Sequence, residues 1–156
     1  MSLRSSATVS RRNRLIRLAD ALLGILILTA VVAFFNPFAA IMIAIIPVVG
    51  LVWSLYSLRK SINGIDLPNA PRDEYQQHQV YDARTVGLRT AIFSIVGLMI
   101  VSSFLAVASR FTTLTVTEAT GTLYPLFLAA IHAIPFSVTR SLAGAINRDE
   151  LISAPE

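Results

Sequence analysis

The chain has 156 residues, of which 54% are hydrophobic and only 14% are charged, and its mean hydropathy is +0.67. Soluble domains carry about 25% charged residues, so this composition predicts a membrane protein of one domain, residues 1–156. There is no cysteine, which excludes disulfides, thiolate metal sites and cysteine nucleophiles. The net charge of +4 does not predict a nucleic-acid partner, because the distribution of charge matters more than its sum in a membrane chain.

The first predicted elements come from residues 21–58, which contain no charged side chain. A single helix of this length would rise about 57 Å, nearly twice a hydrocarbon core of about 30 Å. Asn36-Pro37 interrupts the stretch, and proline both lacks a backbone donor and disfavours a helical conformation in the preceding residue. The sequence therefore predicts a helical hairpin, with spans at about 15–35 and 38–58 and a tight turn between them.

A polar segment follows the hairpin. Residues 59–71 contain Asn63-Gly64, Pro68 and Pro71, which indicate a loop. Pro71 suits a first helical position, and the acids after it favour the positive end of a helix dipole. We expect a helix to begin near Arg72, to be polar on all sides through residue 89, and to continue into a third span at about 90–109.

The fourth predicted span covers about 119–139, after a threonine-rich connection, and a short helical tail follows at 140–156. The predicted fold class is therefore all-α, a polytopic membrane protein with four transmembrane helices in two hairpins. The third helix is expected to extend into the cytoplasm. The predicted primary partner is the lipid bilayer.

The basic residues predict the orientation. If both termini are cytoplasmic, twelve of the 13 basic residues lie inside and only Arg110 lies outside, a strong positive-inside bias. We therefore expect a multi-pass protein of a bacterial plasma membrane, with arm 1–14, segment 59–89 and the tail in the cytoplasm. The basic side chains act as topology signals, or they bind anionic lipid or a protein partner; they include Arg11, Arg12, Arg14, Arg17, Arg59, Lys60 and Arg140.

Small residues recur at helical spacing in three spans, which allows another helix to approach closely. These candidate helix contacts are Ala40 and Ala44, Ser102 and Ala106, and Ala129, Ala133 and Ser137. Such contacts are expected either within the chain or with other membrane subunits.

His132 is the only ionisable residue predicted to lie deep within a span, which makes it a candidate functional group. It could bind a quinone, transfer a proton or ligate a haem, or it could be a neutral imidazole satisfied by a carbonyl or hydroxyl. The nearest acid, Asp20, is expected to pair with Arg17 or with Arg140.

The sequence contains no phosphate-binding loop, dinucleotide fingerprint, zinc-protease motif or nucleophile elbow. The acids and histidine of the polar helix lack the dense spacing of a metal site. We therefore predict no catalytic, cofactor or metal residues, and no enzymatic activity.

The hairpin and the segment after it resemble small four-span membrane proteins of actinobacteria. The residues that carry this resemblance are Asp73-Glu74-Tyr75-Gln76, Arg84 and Gly87-Leu88-Arg89. Some such proteins are accessory subunits of the actinobacterial cytochrome bc1–aa3 supercomplex and hold no redox centre. The resemblance covers about a third of the chain and implies a place in electron transport, but no functional residue.

These observations predict a non-catalytic accessory subunit of a larger membrane complex, in a respiratory chain. The alternative is a small oligomeric transporter or channel in which His132, Pro47 and Pro135 line the path. A quinone- or haem-binding electron carrier is a third hypothesis.

Overall fold

The computed structural model describes residues 2–67 and 73–152, with side chains from residue 7 onward. Over these residues the structure is 89% helical and contains no strand. Its four helices are long and apolar enough to span a membrane, which confirms the predicted fold class. They are α1 (Ser2–Phe35), α2 (Pro37–Ser61), α3 (Glu74–Ala108) and α4 (Val116–Ile152). Each of the predicted spans lies within one of these helices, apart from the last residue of the third.

The turn between α1 and α2 is a single residue, Asn36. Its backbone is extended, with φ −149° and ψ 92°, and its side chain accepts a hydrogen bond from the backbone N–H of Ala39 at 3.0 Å. Pro37 takes the first position of α2, where its missing N–H leaves no intrahelical bond unmade. Asn36 therefore caps the new helix in the way that asparagine favours, and the predicted tight turn is confirmed.

α4 is the centre of the bundle. It contacts α1, α2 and α3, and α1 also packs along α2. Within the described ranges, α3 contacts no helix other than α4. Contacts of Arg12 with Ser61 and Asn147 bring the start of α1, the end of α2 and the last turns of α4 together. We call this the basic end of the bundle; at the opposite end Gly121 lies against Pro37.

The inner face of α2 has a coiled-coil spacing. Its buried residues alternate in steps of four and three: Ala40, Ala44, Pro47, Leu51, Ser54 and Leu58. This period keeps one narrow seam turned toward the neighbouring helices. Pro47 lies in that seam and α2 continues through it as helix. The outward side chains of α2 are large and apolar, among them Ile46, and so are those of the membrane half of α3, among them Phe93 and Ile100. Such surfaces are typical of contact with a lipid bilayer.

Local capping fixes the starts of the last two helices. Asp73 accepts a 2.7 Å hydrogen bond from the N–H of Gln76, and Thr115 and Glu118 bond reciprocally before α4. The second arrangement is a capping box, which the sequence interpretation did not include. The expectations for Pro68, Pro71 and Arg72 lie outside the described residues, as does the end of the predicted tail, residues 153–156.

Candidate functional site

Arg12 is deeply buried for a charged residue, with 5% of its surface exposed. Its Nη1 donates to Asn147 Oδ1 at 3.1 Å and to Glu150 Oε1 at 2.8 Å, and its Nη2 donates to the Ser61 carbonyl at 2.8 Å. The planar guanidinium can serve several acceptors at fixed angles. Arg12 thereby joins α1, α2 and α4, so its side chain is not available for the predicted contact with lipid.

The last turns of α4 also hold the polar half of α3. Asp149 accepts hydrogen bonds from Gln79 Nε2 at 2.9 Å and from the Tyr75 hydroxyl at 3.2 Å. Asn147 Nδ2 donates to Asn13 Oδ1 at 3.2 Å. The polar helix therefore docks partly on the tail of its own chain, while most of its charged side chains stay exposed.

A second ion pair lies nearer the membrane. Arg140 Nη1 of α4 lies 2.7 Å from Asp20 Oδ1 of α1, and both side chains are about half exposed, at 53% and 40%. Of the two partners expected for Asp20, the structure therefore pairs it with Arg140, and Arg17 is exposed. The pair marks the same level on two helices, since both residues border the apolar segments.

The other predicted basic residues differ in their surroundings. Arg59 pairs with Asp66 at 2.7 Å, which fastens the turn after α2 to the helix end. Arg11, Arg14 and Lys60 are exposed, where they remain free to act in topology or lipid contact.

His132 has a partner on its own helix. Its Nδ1 lies 2.8 Å from the Leu128 carbonyl, one turn earlier, and the ring is partly buried. A carbonyl only accepts, so Nδ1 carries the proton in this arrangement. A carbonyl thus satisfies one ring nitrogen, as one of the alternatives expected, and a ligand role for His132 stays a prediction.

The candidate small-residue contacts divide into two groups. Ala40, Ala44 and Ala129 are buried, and Ala133 and Ser137 are partly buried. Ser102 and Ala106 are exposed, because α3 turns Leu105 toward α4 instead. Their expected contact does not form within this chain, since small-residue spacing leaves open which face of a helix turns inward.

A lateral groove lies between α1, α3 and α4 at the depth of the apolar segments. It encloses about 300 Å³ and is almost wholly apolar, with Leu23, Ile27, Ser94, Val101, Ala129 and Ala133 among its lining residues. It exists because α1 and α3, as far as they are described, both pack on α4 without contacting each other. No side chain that lines it is ionisable.

A polar recess of about 670 Å³ lies between α3 and α4 toward the basic end. Its lining includes Thr90, Ser137, Arg140, Ser141, Gly144 and Arg148. Over residues 2–67 and 73–152, no group of three or more histidine or acidic side chains could hold a metal ion. The hydroxyls of Thr90 and Ser137 donate to carbonyls of their own helices, and Arg148 is exposed at the surface.

Comparisons with known proteins add no family assignment. No family model matches this chain, and neither a curated protein nor a solved structure matches it significantly. The resemblance to actinobacterial accessory subunits therefore stays a prediction from the sequence.

Proposed function

We propose that this protein is a non-catalytic accessory subunit of a larger membrane assembly. It lies in a bacterial plasma membrane with both termini in the cytoplasm, as the distribution of basic residues predicts. Helices α1, α2 and α4 pack on one another, and α3 provides the surface that binds the partner. A respiratory complex is the assembly that the sequence resemblance favours.

The exposure of α3 is the observation that carries this proposal. Among the described residues this helix contacts α4 alone, and in its membrane half only Leu105 is buried. Ser102 and Ala106 form a small-residue patch on its outer surface, the kind of patch at which another transmembrane helix approaches closely. A partner helix at this patch would complete the packing of α3.

The projecting half of α3 supports the same role. Glu74, His78, Asp82 and Arg84 are exposed, and His78 Nδ1 lies 3.2 Å from Asp82 Oδ2 on the same helix. A helix with polar side chains on its outer faces can dock on a polar surface of a partner at the basic end.

The interior of the bundle favours this function over transport. Conduction needs polar groups along a path, whereas the groove at membrane depth is apolar. The ring nitrogen of His132 is held by its own helix. A flux assay in proteoliposomes separates the two: we expect the same background flux for wild type and His132→Ala, and flux that depends on His132 would favour the transporter.

Co-purification tests the proposal. The chain is extracted from native membranes in a mild detergent, and its co-migrating partners are compared between wild type and Ser102→Leu. We expect the substitution to release the partner, because a leucine fills the space that the partner backbone needs. Migration of the wild-type chain alone would contradict the proposal.

Ser103→Leu is the matched control, since Ser103 is also exposed and lies about 100° around the helix from Ser102. The control should keep the partner. Equal release by both substitutions would mean that the patch is not the contact.

A further inference from the structure

The lateral groove and the polar recess lie in line on the same faces of α3 and α4. On α4 the lining residues follow one another in steps of three or four: Leu126, Ala130, Ala133, Ser137, Ser141, Gly144 and Arg148. Residues at this spacing share one face of a helix. On α3 the same holds from Val101 through Leu98, Ser94 and Thr90 to Val86. The two cavities therefore follow one another along the surface, from the middle of the apolar segments to the basic end. We call this surface path, which is not a conducting pore, the channel.

We propose that this channel binds one anionic glycerophospholipid, with an acyl chain in the lateral groove and the phosphate between Arg140 and Arg148. The apolar part is lined by α1, α3 and α4, and the polar part by hydroxyls and two guanidiniums. A phospholipid in one leaflet has the same order, with an apolar acyl chain toward the middle of the bilayer and a polar headgroup at its surface. The proposal is independent of the accessory-subunit function.

The dimensions fit one leaflet. From Glu118 to Arg140, α4 rises about 33 Å, which matches a hydrocarbon core of about 30 Å. Ala133 lies about 10 Å along the axis from Arg140, and Leu126 about 21 Å. The apolar cavity thus begins below the level of the headgroups and reaches the middle of the bilayer, as an acyl chain does.

The charges favour an anionic headgroup. Asp20 neutralises Arg140, while Arg148 is exposed and forms no ion pair with the described residues. Among the described residues, Arg140 and Arg148 are the only charged ones that line the polar recess, while Asp82 and Asp149 line a neighbouring recess with Arg148 and keep their own negative charge. The two lining arginines and Asp20 sum to one positive charge, which a phosphodiester with one negative charge balances.

Two glycines leave the channel open. A Cβ atom built on Gly97, in the apolar part, or on Gly144, in the polar part, meets no atom within 4 Å. A side chain at either position would therefore fill the channel without a clash of its Cβ with the protein. Glycine within a helix is also destabilising relative to alanine, so a substitution here removes that local cost.

Native mass spectrometry tests this site. The full chain is reconstituted in nanodiscs of equal parts phosphatidylglycerol and phosphatidylcholine, then released, and the retained lipids are counted. We expect one phosphatidylglycerol per wild-type chain, its loss in Gly97→Leu, and about fivefold weaker retention in Arg148→Gln, as expected for removal of one basic residue near the phosphate. Gly24→Leu is the matched control, because Gly24 is equally unobstructed and does not line the channel.

Each contrary result overturns the proposal. Equal retention of the two lipids would exclude recognition of the anionic headgroup, and retention by Gly97→Leu would place the lipid elsewhere. A dimer of the chain that Gly97→Leu dissociates would identify a second copy as the occupant of the groove. Release of lipid by Gly24→Leu as well would show a general effect on the bundle.

Discussion

Arg12 of α1 and Glu150 of α4 form a 2.8 Å ion pair that joins the first and last helices of the bundle. The side chain of Arg12 is 6% exposed and that of Glu150 31%, so water screens this pair only in part. Burying a charged group is costly unless it is paired and hydrogen-bonded. Three acceptors hold the Nη atoms of Arg12, while its buried Nε has no hydrogen-bond partner among the described residues. Arg12 is therefore a structural element of the bundle, in addition to the predicted role of the basic arm as a topology signal.

Arg12→Ala is expected to lower the free energy of unfolding by about 3 kcal/mol, because it leaves Glu150 and Asn147 without their buried partner. The measurement is denaturant-induced unfolding of the purified chain in detergent micelles. Arg14→Ala is the control, since Arg14 is exposed on the same helix and should change stability little. Equal effects of the two substitutions would refute the structural role of Arg12.

Gly87→Ala is expected to destabilise the contact between α3 and α4. A Cβ at Gly87 would lie 2.4 Å from Cγ2 of Val138, and a β-branched side chain in a helix cannot rotate away easily. Overpacking of this kind costs about 1–3 kcal/mol. Gly97→Ala should instead be neutral or stabilising, because its Cβ meets open space.

Both glycine variants are compared by thermal unfolding and by the distance between spin labels on α3 and α4. Gly87→Ala should lower the midpoint and broaden the distances, whereas Gly97→Ala should do neither. An unchanged midpoint for Gly87→Ala would mean that the two helices are not in close contact at this level.

Ala44→Leu tests the seam of α2. Ala44 is 2% exposed, so the larger side chain is expected to cost about 1–3 kcal/mol by overpacking. Ala106→Leu introduces the same change on an exposed face of α3 and should leave the isolated chain as stable as wild type. Thermal midpoints in detergent measure both, and a lower midpoint for Ala106→Leu alone would reverse the assignment of the two faces.

The fold was predictable because each span is long and apolar with charged residues beyond at least one of its ends, and because Asn36-Pro37 interrupts the first apolar stretch. The packing was less predictable. A transmembrane helix is apolar on every side, so hydrophobic periodicity does not separate the face toward lipid from the face toward protein. Ala44 follows Ala40, and Ala106 follows Ser102, at the same spacing of small residues. Only the tertiary contacts place Ala44 inside the bundle and Ala106 outside it.

The buried role of Arg12 could not be predicted from the local sequence, since its partners Ser61, Asn147 and Glu150 are distant in the chain. Nothing distinguishes Arg12 from Arg11 and Arg14 until the helices are assembled. The capping box at α4 is different, because the spacing Thr115-x-x-Glu118 is a local motif that predicts the start of a helix from sequence alone.

Thr115→Val is expected to loosen the start of α4. The hydroxyl of Thr115 accepts from the N–H of Glu118 at 3.3 Å, and the Glu118 carboxylate accepts from the N–H of Thr115 at 2.8 Å. Valine has nearly the same shape but no acceptor, so the first amides of the helix lose a partner. Hydrogen exchange should become faster at residues 116–119 and stay unchanged in α2. Equal exchange rates at residues 116–119 in the wild type and in Thr115→Val would show that the cap is dispensable.

The Asp20–Arg140 pair is expected to contribute less to stability than the contacts of Arg12. Both side chains are about half exposed, and ion pairs that reach water contribute about 0–1 kcal/mol. A double-mutant cycle with Asp20→Asn, Arg140→Gln and the double variant isolates the coupling between the two charges. Unfolding of each variant in uncharged detergent should give a coupling below about 1 kcal/mol that decreases with added salt. A larger coupling that salt does not change would mean that the pair lies in a dry part of the bundle, below the level of the headgroups.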